Sequence, residues 1–267
     1  MKLYISADIE GVAGAMAWDE VSKNETEYEP CSKQMTREVR AACQGALNGG
    51  AEQIWVKDAH GSGRNINIVE LPEPTQIIRG WSGSPLSMMQ ELDETFTAVM
   101  MVGYHSRAGS GDSPLAHTFS GKASYIKIND EYMSEFNINA YIASMFELPV
   151  IFVSGDEGLC QQVREFNDQI KTVETKSGIG NSVVSIHPDR AVTEIKAGVE
   201  SALQGKLSEY LVELPDMFRV EISYNSDRHY CAYKASFYPG VKQISPTTVI
   251  FETDDYFDVL RLLLFVV

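Results

Sequence analysis

Residues 2–11 read KLYISADIEG, six residues with the composition of a β-strand followed at once by two carboxylates and a glycine. Residues 2–7 alternate in polarity and are rich in β-forming side chains, which predicts a strand. Asp8 and Glu10 lie two positions apart, and in extended backbone this spacing points both side chains to one side. Because neighbouring carboxylates repel each other, the pattern favours a cation between them.

Two further predicted strands end in the same way. Residues 53–57 precede Asp58 and His60, and residues 98–102 precede His105. In open α/β sheets, ligands bind beyond the carboxyl ends of the strands. Imidazole nitrogens beside carboxylates suit zinc and related ions. The three strand ends together therefore predict a metal site.

Strands alternate with helices through the first 165 residues or so. The sequence predicts helices over residues 32–48, 84–92, 134–146 and 157–166, and further strands over 75–78, 124–128 and 149–153. This alternation predicts an α/β fold in which a mostly parallel central sheet is flanked by helices in three layers.

The last hundred residues mix strands and helices less regularly. Strands are predicted over residues 218–222 and 247–251, and helices over 188–204 and 254–265. We therefore assign residues 1–165 to an α/β metal-binding catalytic domain. Residues 166–267 are predicted to form a smaller α+β portion packed on it.

The composition restricts the classes of partner. A formal net charge of -15 repels phosphate backbones and anionic lipids, so neither nucleic acid nor a membrane is expected as a partner. No apolar run is long enough to span a bilayer, and the N-terminus lacks the apolar stretch of a secretory signal. We therefore expect a cytoplasmic protein whose four cysteines are reduced and mostly buried.

Five motifs, in order, resemble a known peptidase family. They are KLYISADIEGVAG, WVKDAHGSG, VGYHSRAG, LAHTFSG and IKINDEYMSEFNINA, and together they cover most of residues 1–155. This set is similar to the zinc-dependent D-aminopeptidases associated with bacterial dipeptide transport. The later part of the chain resembles the family only around VSGDEG and SPTTVIFET.

The resemblance implies a site with two Zn²⁺ ions per subunit. The family's ligands fall on Asp8, Glu10, His60, His105 and Glu135, with Asp8 bridging the two ions. The implied activity is that of an aminopeptidase in which zinc-activated water cleaves short peptides with an N-terminal D-amino acid, such as D-Ala-D-Ala. The resemblance also implies a homo-oligomer, which we predict to be a ring-shaped decamer.

Three further residues are predicted near the metals. His117 matches an active-site histidine of the family and is assigned a catalytic role, either stabilising a tetrahedral oxyanion or protonating the leaving amine. Asn139 lies one helical turn after Glu135, so we predict that it lines the substrate pocket. Asp58, two residues before His60, is predicted to orient an imidazole without touching the metal.

Other functions remain open from the residues alone. Paired metals also suit phosphate esters, and Arg64 and Arg107 could serve a phosphoesterase, although the acidic chain disfavours one. No feature of the sequence indicates whether the substrate is a D- or an L-peptide, so an L-dipeptidase or another amidohydrolase is compatible with it. A closed coordination sphere would instead indicate a non-catalytic, metal-dependent assembly protein. Zinc, manganese and cobalt all remain candidates for the native metal.

Overall fold

A computed structural model describes residues 1–267 and contains two β-sheets with helices packed on them. The strands are β1 (Lys2–Ala7), β2 (Gln53–Asp58), β3 (Thr75–Ile78), β4 (Ala98–Tyr104), β5 (Ala123–Ile128), β6 (Glu131–Tyr132), β7 (Val150–Asp156), β8 (Lys171–Ile179), β9 (Ser182–Ser185), β10 (Phe218–Tyr224), β11 (Lys242–Gln243) and β12 (Thr248–Thr253). The α-helices are α1 (Trp18–Val21), α2 (Tyr28–Asn48), α3 (Glu135–Met145), α4 (Glu157–Phe166), α5 (Pro188–Gln204), α6 (His229–Ala235) and α7 (Tyr256–Val266). Short 3-10 helices cover Ile68–Glu70, Ser87–Met89, Leu207–Tyr210 and Ser226–Arg228.

The larger sheet has 7 strands in the order β3-β2-β1-β4-β7-β8-β9. All neighbouring strands are parallel except β9, which runs antiparallel to β8. Strands β4 and β7 are buried along their whole length, as expected for central strands covered on both faces. Helices α2 and α5 pack against each other and on the sheet, and so do α3 and α4. The predicted α/β fold with a mostly parallel central sheet flanked by helices is confirmed.

The smaller sheet is antiparallel, with 5 strands in the order β11-β12-β10-β5-β6, and α6 and α7 pack on it. Strands β8 and β9 follow residue 165 but belong to the larger sheet. Strands β5 and β6 precede residue 165 but belong to the smaller one. The boundary between the sheets therefore does not fall at residue 165, and the division into 1–165 and 166–267 stays a prediction about folding units.

Several segments differ from the sequence-based prediction, and the helices α1 and α6 and the two-residue strands β6 and β11 were not predicted. The helix expected over residues 84–92 is only a 3-10 turn at Ser87–Met89. Ser87 has a φ of 46°, a left-handed conformation that cannot continue a right-handed helix. The strands β8 and β9 were not predicted, because β8 has only two apolar side chains, Val173 and Ile179, and both strands are incompletely buried.

The register of the larger sheet brings three strand ends together. Ala7 of β1 pairs with Asp58 of β2 and with Val102 of β4, so the residues that follow these positions leave the sheet side by side. Gly103 has a φ of 73°, and a Cβ added to it would lie 2.3 Å from the carbonyl oxygen of Asp8. This close approach of two backbones is the reason that a glycine stands here.

No helix combines the length and the apolar character that crossing a bilayer requires. All four cysteines are free and buried, which confirms the predicted burial of the thiols. Burial raises the pKa of Cys31 to about 11 and that of Cys43 to about 12, so these thiols stay protonated and unreactive at neutral pH.

Candidate metal centre and substrate cleft

The five side chains predicted as metal ligands meet at the carboxyl end of the larger sheet. Asp8 and Glu10 follow β1, His60 follows β2, His105 follows β4, and Glu135 begins α3. Each is buried or nearly so. The topology thus gathers residues that are up to 127 positions apart in the sequence, from Asp8 to Glu135 (135 minus 8), into one cluster.

The nitrogen–oxygen distances within this cluster are 3.0–3.5 Å, short enough for two side chains to contact one ion. His60 Nδ1 lies 3.3 Å from Asp8 Oδ1 and 3.0 Å from Glu10 Oε2. His105 Nε2 lies 3.5 Å from Asp8 Oδ2 and 3.4 Å from Glu135 Oε2. One oxygen of Asp8 therefore faces each imidazole, which is the position that a carboxylate shared by two ions would take.

Backbone carbonyls hold one ring nitrogen of each imidazole. The contacts are His60 Nε2 to Val21 O at 2.7 Å, His105 Nδ1 to Ser106 O at 2.9 Å and His117 Nδ1 to Leu115 O at 2.9 Å. A neutral imidazole that donates from one nitrogen offers a lone pair at the other. Outer contacts of this kind commonly fix metal-binding imidazoles. The remaining nitrogen of all three rings faces the carboxylates.

The donor set fits a divalent cation. Glu10 Oε2 and His105 Nε2 are buried without a hydrogen-bond partner, which is rare for polar atoms inside proteins. Ligand atoms of Asp8, Glu10 and His105 lie within 4.8 Å of one another, and so do those of His105, His117 and Glu135. Carboxylate oxygens mixed with imidazole nitrogens are the ligands of zinc sites.

The charged groups of the cluster shift one another's pKa. Burial opposes protonation of His60, but the Glu10 and Asp8 carboxylates outweigh it and raise the pKa of His60 to about 11. Burial and the neighbouring charge of Glu10 raise the pKa of Asp8. Burial also disfavours the ionised form of Glu10, yet the nearby imidazoles hold its pKa well below the usual value. The cluster therefore attracts positive charge strongly.

Glu135 is brought to the cluster by the start of α3. The Ser134 side chain accepts a hydrogen bond from the backbone N–H of Asn137, and this cap makes Glu135 the first helical residue. The backbone N–H of Phe119 donates to Glu135 Oε1 at 2.7 Å. Glu135 is only 3% exposed, whereas a first-turn glutamate read from periodicity alone would be placed in solvent.

His117 lies beside the cluster on the loop between β4 and β5. Its Nε2 is 3.6 Å from Glu135 Oε1 and 4.0 Å from Glu10 Oε1. Its ring stacks on His105, with centroids 4.2 Å apart, and meets the edge of Trp18. These contacts fix the ring so that one free nitrogen points at the cluster.

A cleft of about 520 Å³ opens onto the cluster. Its walls include four of the five predicted ligands, Asp8, Glu10, His60 and Glu135, together with His117. The other lining residues are mostly apolar or small, and among them are Trp18, Trp81, Met88, Phe119, Ile142, Leu260, Leu263 and Leu264. No lysine or arginine lines the cleft.

The family model described as D-aminopeptidase matches residues 1–265. The chain belongs to the D-aminopeptidase family.

A curated protein and a solved structure agree with this assignment. A curated D-aminopeptidase of Bacillus subtilis (strain 168) is 29% identical over 266 residues, which are 99% of this chain and 96% of that protein. A solved structure is described as the Zn-dependent D-aminopeptidase DppA from Bacillus subtilis, a self-compartmentalizing protease. It shares 27% identity, covers 99% of this chain and 96% of its own, and superposes with a TM-score of 0.91. The predicted family resemblance is confirmed.

In this member of the D-aminopeptidase family, Asp58 does not contact an imidazole. Its carboxylate accepts hydrogen bonds from the backbone N–H groups of Asn65 and Ile66 and from Asn65 Nδ2. Asn65 Nδ2 also donates to the carbonyl of His60 at 2.6 Å. Asp58 therefore fixes the loop that carries His60, and the carbonyl of Val21 holds the ring instead.

Asn139 also differs from its prediction. It lies one turn after Glu135, as the spacing requires, but it is fully buried and does not line the cleft of this D-aminopeptidase family member. Its Nδ2 donates to Tyr104 Oη at 2.9 Å, and Met88, which does line the cleft, also contacts it. The placement supports a packing role behind the cleft wall rather than contact with substrate.

Sequence reasoning missed the part of the cleft that α7 supplies. Leu260, Leu263 and Leu264 are more than 120 residues beyond Glu135 (260 minus 135 is 125), and no motif links them to the metal cluster. Trp18 and Trp81 were also not assigned to the site. Their partial exposure, 48% and 43%, is typical of aromatic side chains at a cleft and could have indicated them only once the fold was known.

Proposed function

We propose that this chain is a zinc-dependent aminopeptidase that removes N-terminal D-amino acids from short peptides such as D-Ala-D-Ala. Two Zn²⁺ ions would be held by Asp8, Glu10, His60, His105 and Glu135. The observation that carries the proposal is a buried set of unpaired carboxylate and imidazole atoms in contact with an open cleft. The names of the relatives supply the substrate class.

The ligands form two sets that share one residue. His60, Glu10 and one oxygen of Asp8 would hold one ion, and His105, Glu135 and the other oxygen of Asp8 would hold the second. Zinc bound in such a site lowers the pKa of water toward neutrality and polarises carbonyl oxygens. The protein keeps its ligands rigid, because each imidazole is also tied to a backbone carbonyl.

His117 supplies a proton-carrying group next to the reacting atoms. Because its Nδ1–H donates to the carbonyl of Leu115, the proton gained on ionisation is carried at Nε2, which faces the cleft. From there it can stabilise a developing oxyanion or pass to the leaving amine. The stack on His105 keeps the ring in this orientation.

The cleft disfavours the two other candidate functions. Apart from the proposed metals, a phosphate ester would find no cationic side chain in the lining of the cleft. Arg107 lies in another cavity, and Arg64 lies in a neighbouring one that shares Trp18, His60 and Gly61 with the cleft. A purely structural metal site would have a closed coordination sphere. Here the cleft reaches four of the five ligands, so substrate can approach.

We also propose a homo-oligomer, a ring-shaped decamer, acting in the cytoplasm. The solved relative is described as self-compartmentalizing, and an enclosed chamber would admit only short peptides. The four free cysteines suit a reducing compartment. Light scattering of the purified protein should give ten times the 29.6 kDa of the chain. A monomeric mass at the protein concentration used for the activity assay would contradict the proposed ring.

The function is tested by zinc analysis together with a panel of D- and L-dipeptides. The proteins are the wild type, His105→Ala and the control His187→Ala, whose side chain is 73% exposed and does not line the cleft. We expect zinc and D-dipeptide hydrolysis in the wild type and the control, and loss of both in His105→Ala. Full retention of zinc and activity by His105→Ala would contradict the proposed site, and exclusive L-dipeptide hydrolysis would contradict the proposed substrate.

A further inference from the structure

The cleft has an apolar wall next to the metal cluster. The wall consists of Met88, Phe119, Ile142, Leu260, Leu263 and Leu264. Met88, Ile142, Leu260 and Leu263 are each at most 6% exposed, so most of the wall is part of the packed core. A rigid, preformed apolar surface beside reacting atoms is the form that a side-chain subsite takes.

Helix α7 supplies half of this wall. Leu260, Leu263 and Leu264 are spaced by three and four residues, which places them on one helical face. Tyr256, in the first turn of α7, donates from its hydroxyl to the carbonyl of Ile138 in α3 at 2.9 Å. Because α3 also carries Glu135 at its first position, the same contact between α7 and α3 positions the wall relative to a predicted metal ligand.

The six side chains of the wall carry no charged group and no hydrogen-bond donor for a charged side chain of the substrate. No lysine or arginine lines the cleft, and its acidic residues, Asp8, Glu10 and Glu135, are predicted metal ligands. A charged group moved from water onto this surface would lose hydration without gaining a partner. An aliphatic or aromatic side chain would instead bury apolar surface.

We propose that this wall is the specificity subsite of the enzyme and that it selects an apolar side chain on a residue flanking the scissile bond. This inference rests on the proposed aminopeptidase function and adds the class of side chain that the site takes. Substrates with leucine or phenylalanine at the position in contact with the wall are favoured over those with aspartate or lysine.

Leu264 provides the test, because it is 42% exposed at the edge of the cleft, where a polar replacement is expected to leave the fold intact. The next residue, Phe265, is 67% exposed and does not line the cleft. Leu264→Asp and its control Phe265→Asp therefore place the same charge on the same helix, once inside and once outside the proposed subsite. Leu264→Met keeps the wall apolar and should keep the wild-type selectivity.

The probes are two series of dipeptides, assayed with the zinc-loaded enzyme. One series varies the N-terminal D-residue and the other varies the second residue. The residues at the varied position are alanine, leucine, phenylalanine, aspartate and lysine. In one series the wild type should prefer leucine to aspartate by at least about tenfold in kcat/KM, the usual effect of matching a hydrophobic pocket. Leu264→Asp should reduce that preference by about tenfold, and Phe265→Asp and Leu264→Met should keep it.

A flat profile in both series, or equal changes in Leu264→Asp and Phe265→Asp, would overturn the subsite. Hydrolysis of D-Ala-D-Ala with such a flat profile leaves the proposed function in place and removes only this inference. A zinc-loaded wild type that cleaves no D-peptide would remove both. Thermal unfolding of each variant confirms that the comparison is made on folded protein.

Discussion

Asp8 Oδ2 lies 3.5 Å from His105 Nε2, and the imidazole nitrogen has no hydrogen-bond partner. Ligand atoms on a tetrahedral zinc ion, with bonds of about 2.0 Å to nitrogen and oxygen, lie about 3.3 Å from each other. The observed separation therefore allows one ion to contact both atoms. Asp8 Oδ1 stands in the same relation to His60 Nδ1, at 3.3 Å. The Asp8 carboxylate is therefore placed to contact an ion beside each of the two imidazoles.

Asp8→Asn should weaken both metal positions. The amide keeps the size of the side chain but removes its charge and one of its two acceptor oxygens. We expect zinc content to fall by at least half and peptidase activity by roughly a hundredfold or more, since positioned metal ions supply most of the catalytic chemistry.

The control is Asp19→Asn, the same change at an exposed position on α1. It should keep the zinc and the activity of the wild type. Metal analysis by mass spectrometry and a D-Ala-D-Ala assay measure both effects. An Asp8→Asn protein with its full zinc content would show that Asp8 is not shared between ions.

His117→Ala distinguishes a catalytic group from a metal ligand. If His117 transfers a proton, the variant should retain zinc and lose roughly 10²–10⁴-fold in kcat. Its Nε2 is 3.6 Å from Glu135, close to the 3.4 Å of His105, so geometry alone does not separate the two roles. Zinc content and kcat measured on one preparation decide between them, and loss of zinc would contradict the catalytic assignment.

Glu38 should make stability depend on pH. Burial raises its pKa to about 7 from 4.5, against hydrogen bonds from Ala13 and Gln34 that lower it. The folded state holds this proton more tightly than the unfolded chain. The contribution of Glu38 to the free energy of unfolding is therefore fully present below about pH 4.5. This contribution is lost as the pH rises through about 7, which lowers the free energy of unfolding by at most about 3 kcal/mol.

Glu38→Gln removes this titration while keeping an amide oxygen that can accept from Ala13. Urea unfolding at pH 5 and pH 8 should show the wild type losing stability relative to the variant at the higher pH. Parallel pH profiles for the two proteins would mean that Glu38 stays ionised in the fold.

Gly103→Ala should destabilise the junction that carries Asp8. The new methyl group would lie 2.3 Å from the carbonyl oxygen of Asp8, and the residue would have to keep a φ of 73°. Gly14 has a φ of 90° but no neighbouring atom within 4 Å of an added Cβ. Gly14→Ala should therefore cost only the conformational penalty of about 1–2 kcal/mol.

Gly103→Ala should cost clearly more than Gly14→Ala in the free energy of unfolding, because the steric clash adds to the same penalty. Chemical denaturation of both variants measures the difference. Equal losses of stability would show that the backbones of Gly103 and Asp8 can separate without cost.

The sequence predicted most of what surrounds the metal cluster, and the reasons lie in particular residues. The strands ending at Asp8, His60 and His105 are continuous or alternating apolar runs, so their composition indicated both the strands and the edge where their ends meet. Glu135 required the family resemblance, because the periodicity of α3 favours a solvated position for it.

The remaining features depend on contacts that no local pattern encodes. Asp58 was expected to orient an imidazole, but Asn65 and Ile66 occupy its oxygens. Asn139 shares a helical face with Glu135, yet it lies beneath the cleft wall rather than in it. Leu264 and its neighbours on α7 reach the cleft only through the long-range packing of α7 near α3, which becomes visible in the assembled fold.

The central claim is that this cluster holds two zinc ions that share Asp8. Anomalous diffraction at the zinc edge, from crystals of the zinc-loaded wild type, tests it most directly. The account predicts two peaks, one in contact with His60 and Glu10 and one in contact with His105 and Glu135, each also within bonding distance of Asp8. A single peak, or peaks that leave Asp8 without a zinc contact, would contradict it.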